Sequence, residues 1–236
     1  MSFRIQVFQH VPYEGLGAME GILSAVDARI ERTCFFQGEL PPPPESYDLL
    51  VAMGGPMGVY DEAEFPWLAM EKTALQAAFK ADKGVLGICL GSQLMAEVLG
   101  GRVTQNPHKE IGWWPVERRP EAKGNWAVQC FPDKFRTFHW HGDTFSIPPG
   151  AVPLFRSEGC EHQGFAYGGK AVALQFHPEI QPEVVSTWLQ TGAADLTSGP
   201  FVQSPEQIES GSADDFAANN GWMARLCRGL LRTLIA

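Results

Sequence analysis

Residues 85–101 read VLGICLGSQLMAEVLGG. A continuous apolar run over 84–89 passes without a loop into apolar residues at helical spacing from about 91 to 99, and Cys89 stands at the joint between Gly87 and Gly91. An apolar run of this length leading straight into a helix reads as a strand buried on both faces. Glycines on either side of one residue let a sharp strand-to-helix turn close without Cβ clashes. The spacing G-x-C-x-G is the cysteine counterpart of the G-x-S-x-G nucleophile elbow. The alternative for the same residues is a buried cysteine in an ordinary βα turn.

The surrounding chain repeats the strand–helix rhythm. Residues 3–8 predict a strand, and Leu16, Met19, Leu23, Val26 and Ile30 predict a helix over 16–31. A short strand follows at 33–36, then the stiff connection PPPP at 41–44. YDLLVAM, 47–53, is a second doubly buried strand, followed by a Gly-rich loop and a helix over 66–81. This rhythm predicts an α/β fold with an open, mostly parallel central sheet flanked by helices. The middle differs. WWPVE, NWAVQCF, FRTFHW and VPLFRS are short β-like pieces, and FAYGGKAVALQFH predicts a hairpin through Gly168-Gly169, so a small antiparallel β section is added. Helices are expected at 182–190 and 221–235, with the polar, acidic stretch between them as a surface excursion. No repeat or boundary divides the chain, so 1–236 reads as one domain whose last part, 190–236, is an excursion and a helix.

Composition removes several classes of function. The formal net charge is −9 and no Lys/Arg cluster is present, so nucleic acid is not an expected partner. MSFRIQVFQHVP is too short and too interrupted for a signal peptide or membrane span. The five cysteines (Cys34, Cys89, Cys130, Cys160, Cys227) have no framework spacing, and read as reduced thiols of a cytoplasmic protein. All but Cys89 are expected to be ordinary buried residues.

A cysteine at the start of a helix gains from the unpaired N–H groups and partial positive charge there, both of which favour the nucleophilic thiolate. It also needs a base and an oxyanion hole. FHPE at 176–179 supplies His177 and Glu179, which point to the same side of an extended segment. Glu179 is thus placed to hold one imidazole nitrogen while the other faces Cys89, and Pro178 ends strand pairing there. Gly54 and Gly55 of MGGPMG, after the strand at 47–53, can turn amides toward a ligand, and the Leu90 amide follows the nucleophile. His139 and His141 form an H-x-H pair, but no third ligand lies at metal-site spacing, so no metal is expected. Trp113, Trp114 and Trp140 read as core aromatics, with the lining of a pocket as the alternative.

GGPMG at 54–58, GICLGSQ at 87–93 and FHPE at 176–179 together resemble the class I glutamine amidotransferase family. KEIGWWPV at 109–116 and HWHGDTF at 139–145 are similar to its stand-alone, GMP synthetase-like branch. The resemblance implies a flavodoxin-like sheet and a triad of Cys89, His177 and Glu179. It implies an oxyanion hole at the Gly55 and Leu90 amides, and a substrate pocket that includes Gly54, Gln93, His141, Gly142 and Asp143. It calls for no metal or organic cofactor. Three functions follow from it. The first is a hydrolase cleaving the γ-amide of glutamine through a γ-glutamyl thioester, supplying ammonia to a separate synthetase subunit, because no nucleotide-binding motif follows His177. The second is a self-sufficient γ-glutamyl peptidase acting on a glutathione-like metabolite. The third is a non-catalytic binding module.

Overall fold

Leu49–Ala52 and Gly84–Ile88 are buried at every position and lie side by side at the centre of the molecule. The computed structural model describes residues 3–26 and 28–235; Met1, Ser2, Asp27 and Ala236 lie outside it. In chain order the strands are β1 (Phe3–Gln9), β2 (Ala28–Cys34), β3 (Leu49–Ala52), β4 (Gly84–Ile88), β5 (Val103–Arg118), β6 (Lys134–Phe145), β7 (Val152–Ser157), β8 (Gly164–Tyr167) and β9 (Ala171–Leu174). The helices are α1 (Met19–Ser24), α2 (Trp67–Lys80), α3 (Leu90–Val98), α4 (Pro182–Thr191), α5 (Pro205–Glu209) and α6 (Ala213–Ile235).

The described strands form one sheet in the order β2-β1-β3-β4-β9-β8-β7-β5-β6. The first five run parallel, the arrangement of a doubly wound flavodoxin-like sheet, and the rest pair antiparallel. The antiparallel part continues the same sheet and contains its two longest strands. WWPVE and FRTFHW, expected as short pieces, are segments of β5 and β6, which pair along most of their length.

Helices cover both faces, as parallel strands require. On one face Met19 and Leu23 of α1 join Met223, Leu226 and Leu230 of α6 against Val7, Val51 and Leu86. On the other, Leu68 and Leu75 of α2 and Leu94 of α3 meet Phe8, Leu50 and Val85. Each such fully buried aliphatic or aromatic side chain contributes roughly 1.5–3 kcal/mol against its exposed state. Among the described residues, no helix is long and apolar enough to cross a membrane.

Three local expectations change. The helix expected over 16–31 is only Met19–Ser24, and residues 28–34 pair with β1 as an edge strand. Ile30 fits either pattern, and the open edge of β1 decides the outcome: pairing satisfies backbone groups that a longer helix would leave bare. NWAVQCF carries a 3₁₀ turn at Val128–Cys130 instead of a strand. The acidic excursion is ordered against β5. Val202 bridges Ile111, Gln203 bonds both backbone groups of Trp113, and Ser204 and Gln207 form a capping box on α5.

Candidate functional site

The parallel strands all point their carboxyl ends to one rim, where open α/β sheets place their sites. From β1, β3, β4 and β9, respectively, the chain delivers residues 10–17, 53–58, 89–93 and 175–179 to that rim. The first of these segments gave no signal in the sequence.

Cys89 sits between β4 and α3 with φ 48° and ψ −107°. Only one other described non-glycine residue, Asp82, has a positive φ. A bulky residue held this way costs roughly 1–3 kcal/mol and persists where its surroundings over-determine it. Here they do. The Cys89 amide donates to the Leu174 carbonyl at 2.8 Å and the Gly91 amide to Met53 at 3.0 Å. A Cβ on Gly91 would collide with the Ala52 carbonyl, and one on Gly87 with Met95. Both flanking glycines are therefore required by close approach, as the elbow spacing predicts.

His177 and Glu179 converge on this cysteine. The His177 Nδ1 donates to the Glu179 Oε1 at 2.8 Å, and the imidazole and the Cys89 side chain border the same cleft. Burial opposes charge on His177, but the Glu179 carboxylate and the Cys89 sulfur outweigh it and hold the pKa well above the ordinary histidine value. Trp188 of α4 packs edge-on against the imidazole, 4.8 Å between centroids. Gly54 stands between the two partners: a Cβ there would lie 3.1 Å from His177 Cε1 and 3.5 Å from the Cys89 Cβ.

Gly55 neighbours Leu90, whose Cδ2 lies 3.2 Å from where a Gly55 Cβ would be. Among the described residues, neither the Gly55 nor the Leu90 amide donates to a protein acceptor. Leu90 is the first residue of α3, so its N–H has no partner within the helix. Gln93 is buried one turn further on. Its Nε2 donates to Gln175 Oε1 at 3.1 Å, and Gln175 Nε2 lies 3.5 Å from the Cys89 sulfur.

Cys89, His177, Gly55 and Gln93 line a cleft of about 550 Å³ together with Gly142, Asp143, Tyr60 and Trp140. Asp143 accepts from the Tyr60 hydroxyl at 2.9 Å. His141 also borders the cleft, but its imidazole turns inward, where Nε2 lies 3.1 Å from Glu110 Oε2. His139 faces the same way, as alternation predicts, and Glu110 of β5 joins the two: the three donor atoms all lie within 4.8 Å of one another. This third donor could not be found from spacing, because it arrives through β5–β6 pairing, with Glu110 opposite His141.

The segment after β1 supports the rim from beneath. His10 is fully buried. Its Nδ1 donates to the Gly54 carbonyl at 2.9 Å, and its Nε2 lies 2.9 and 3.0 Å from the two Glu71 oxygens. Its ring lies nearly parallel to those of Phe35 and Trp67, which also contact each other. Burial disfavours the His10 cation, but Glu71 and the Gly54 carbonyl raise its pKa above the ordinary value. Glu14 lies beside Gly54 in the cleft, and burial pushes its carboxyl up to about 7 against the pull of His177 and His10. Ala18 donates to the Glu179 carbonyl at 2.9 Å, and Gly17, at φ +53°, leaves room for that carbonyl.

The comparisons with known proteins agree in direction. The family model for glutamine amidotransferase class-I matches residues 28–192. The glutamine amidotransferase-like protein YfeJ of Salmonella typhimurium is 32% identical over 214 residues, which are 88% of this chain and 90% of that one. The GMP synthase (glutamine-hydrolyzing) of Aeropyrum pernix is 32% identical over 167 residues, 68% of this chain but only 31% of the synthase. Among solved structures, a glutamine amidotransferase from Thermotoga maritima superposes with a TM-score of 0.87 at 35% identity, covering 100% of both chains. One from Methylobacillus flagellatus gives 0.88 at 30% identity, over 98% of this chain and 95% of the other.

Proposed function

The chain belongs to the class I glutamine amidotransferase family, and on that premise we propose that it hydrolyses the γ-amide of glutamine or a γ-glutamyl compound through Cys89, His177 and Glu179. The observation carrying this reading is the single imidazole bonded to a buried carboxylate and set beside a cysteine held in a strained elbow.

The Cys89 thiolate attacks the γ-carbonyl carbon, forming a C–S bond and moving the carbonyl π electrons onto oxygen. The amides of Gly55 and Leu90 receive that oxyanion, an effect worth roughly 2.7–4 kcal/mol per donor in comparable sites. His177, protonated on the nitrogen facing the substrate, gives that proton to the leaving nitrogen as the C–N bond breaks. A γ-glutamyl thioester and an amine or ammonia result. His177 then takes a proton from water, hydroxide attacks the thioester, and the C–S bond breaks to release glutamate and regenerate the cysteine. Glu179 fixes the tautomer by accepting from Nδ1. Gln93, Gly54, Gly142 and Asp143 border the substrate, and His141 positions that wall from behind.

A second reading concerns the leaving group. The cleft has room beyond a single amino acid, and Glu14, Asp61, Asp143 and Asp195 line it. Lys109, the sole Lys or Arg in that lining, is already paired with Asp195 at 2.7 Å. An acidic cleft favours γ-glutamyl amides with a neutral or cationic amine portion and disfavours an anionic, glutathione-like leaving group. Ammonia supply to a separate synthetase is the corresponding reading if glutamine itself is preferred.

The experiment is glutamate release from glutamine and from γ-glutamyl amides with neutral, cationic and anionic amine portions, with Cys89→Ala as control. The proposal expects release that the substitution abolishes. Equal release by both proteins would overturn the assignment to Cys89, and no release above a protein-free blank would leave a non-catalytic binding module as the better description.

A further inference from the structure

We propose that Glu110, His139 and His141 form a binding site for one divalent transition-metal ion of the zinc type, which ties β5 to β6 behind the cleft. The site lies outside the Cys89–His177–Glu179 group and does not depend on the proposed activity.

The argument begins with protons. The His141 Nδ1 lies 3.0 Å from the Asp143 carbonyl oxygen. A carbonyl only accepts, so Nδ1 carries the hydrogen. An unprotonated Nε2 would present its lone pair to Glu110 Oε2 at 3.1 Å, acceptor against acceptor. Nε2 also lacks hydrogen-bond alignment with any described partner. A cation between the two resolves the clash. Protonation of Nε2 is the competing answer, but it leaves His139 unexplained. That ring is fully buried, and among the described residues neither of its nitrogens meets a partner in hydrogen-bond geometry. Its Nδ1 lies 4.0 Å from the same Glu110 oxygen. Burying an imidazole with nothing to bond is unfavourable, a cost a metal–nitrogen bond removes.

The donor set and spacing fit. Two imidazoles and a carboxylate suit a borderline ion such as Zn²⁺ or Co²⁺ over a hard ion such as Mg²⁺. Tetrahedral bonds of about 2.0–2.1 Å put donors roughly 3.3 Å apart, which the 3.1 and 4.0 Å separations bracket. The supporting contacts are those that orient ligands elsewhere. Asp143 holds the remote nitrogen of His141, and Ser157 and Gln163 donate to the Glu110 oxygens. Gly159 admits the carboxylate: a Cβ there would come within 2.8 Å of Glu110 Oε1. The linear spacing argument against a metal fails because the third ligand comes from the paired strand.

The ion would also fix the cleft wall. Trp140 lies between the two histidines, and its carbonyl is 3.7 Å from the Cys89 sulfur.

The test uses the full chain, stripped with chelator, as wild type and as Cys89→Ala, so that binding at the cysteine is separated from binding here. Each is titrated with Co²⁺, followed by its visible absorption, and with Zn²⁺, followed by thermal melting. The proposal expects one equivalent bound by both proteins with tetrahedral Co²⁺ absorption and a raised Tm. It expects at least tenfold weaker binding in Glu110→Gln and His139→Gln. Circular dichroism confirms that these variants fold, and His139→Phe, which fills the same buried space without a donor, serves if His139→Gln does not. No metal-dependent Tm shift or absorption in the wild type would overturn the proposal. So would binding that survives both site substitutions, or that disappears in Cys89→Ala.

Discussion

His10 reaches across from the end of β1 to hold the Gly54 carbonyl at 2.9 Å, while Glu71 of α2 holds the other side of its ring. The peptide that presents the Gly55 amide to the cleft is thereby fixed by a fully buried ion pair. Removing one partner of such a pair leaves an uncompensated charge, which costs about 3–5 kcal/mol. His10→Phe should destabilise by that amount in urea denaturation, and His10→Phe with Glu71→Leu should recover a large part of it. The His10 pKa is raised on folding, so the pair's contribution is full below about pH 6.5 and is lost as pH rises through the folded pKa. In the double variant this decline in stability toward alkaline pH should be absent.

Glu14 predicts a pH effect from a raised carboxyl. Its folded pKa, about 7, exceeds the ordinary 4.5, so between these values the folded state binds more protons than the unfolded one. Stability therefore falls as pH rises through that window. Glu14→Gln, which stays neutral, should melt close to wild type at pH 4.5 and above it at pH 8. Identical melting differences at both pH values would contradict the assignment.

The elbow predicts an order among substitutions. At φ 48° and ψ −107° a Cβ is strained, so Cys89→Gly should be more stable than Cys89→Ala by about 1 kcal/mol, the reverse of their order in ordinary backbone. Gly91→Ala, by contrast, drives a methyl group into the Ala52 carbonyl and should lower Tm sharply.

Glu179→Gln keeps the shape of the pair but can donate to Nδ1, favouring the wrong tautomer. The kcat should fall by roughly 10²–10⁴-fold with little change in KM. The His177 pKa, held up in part by Glu179, should drop, moving the corresponding limb of the pH–rate profile to lower pH.

Much of this was legible in the chain. The elbow could be read because strand, glycine, cysteine and helix are contiguous, and FHPE because two residues in an extended segment share a side. The parallel character of the central sheet followed from apolar runs alternating with helical spacing. What was missed depends on contacts between distant segments. His10 and Glu14 carry no local motif, although their place just beyond a parallel strand marks that loop as a rim segment. Glu110 becomes a neighbour of His141 only through β5–β6 register. The helix at 16–31 was overextended because Ile30 satisfies both periods and only the free edge of β1 chooses between them.

The most direct measurement is intact and peptide mass spectrometry of the protein rapidly quenched in acid during turnover of the best γ-glutamyl substrate. A mechanism through Cys89 predicts a γ-glutamyl adduct on the peptide containing that residue, formed and lost at rates compatible with kcat and absent from Cys89→Ala. Turnover accompanied by an adduct on a different residue, or by one that persists in Cys89→Ala, would contradict it.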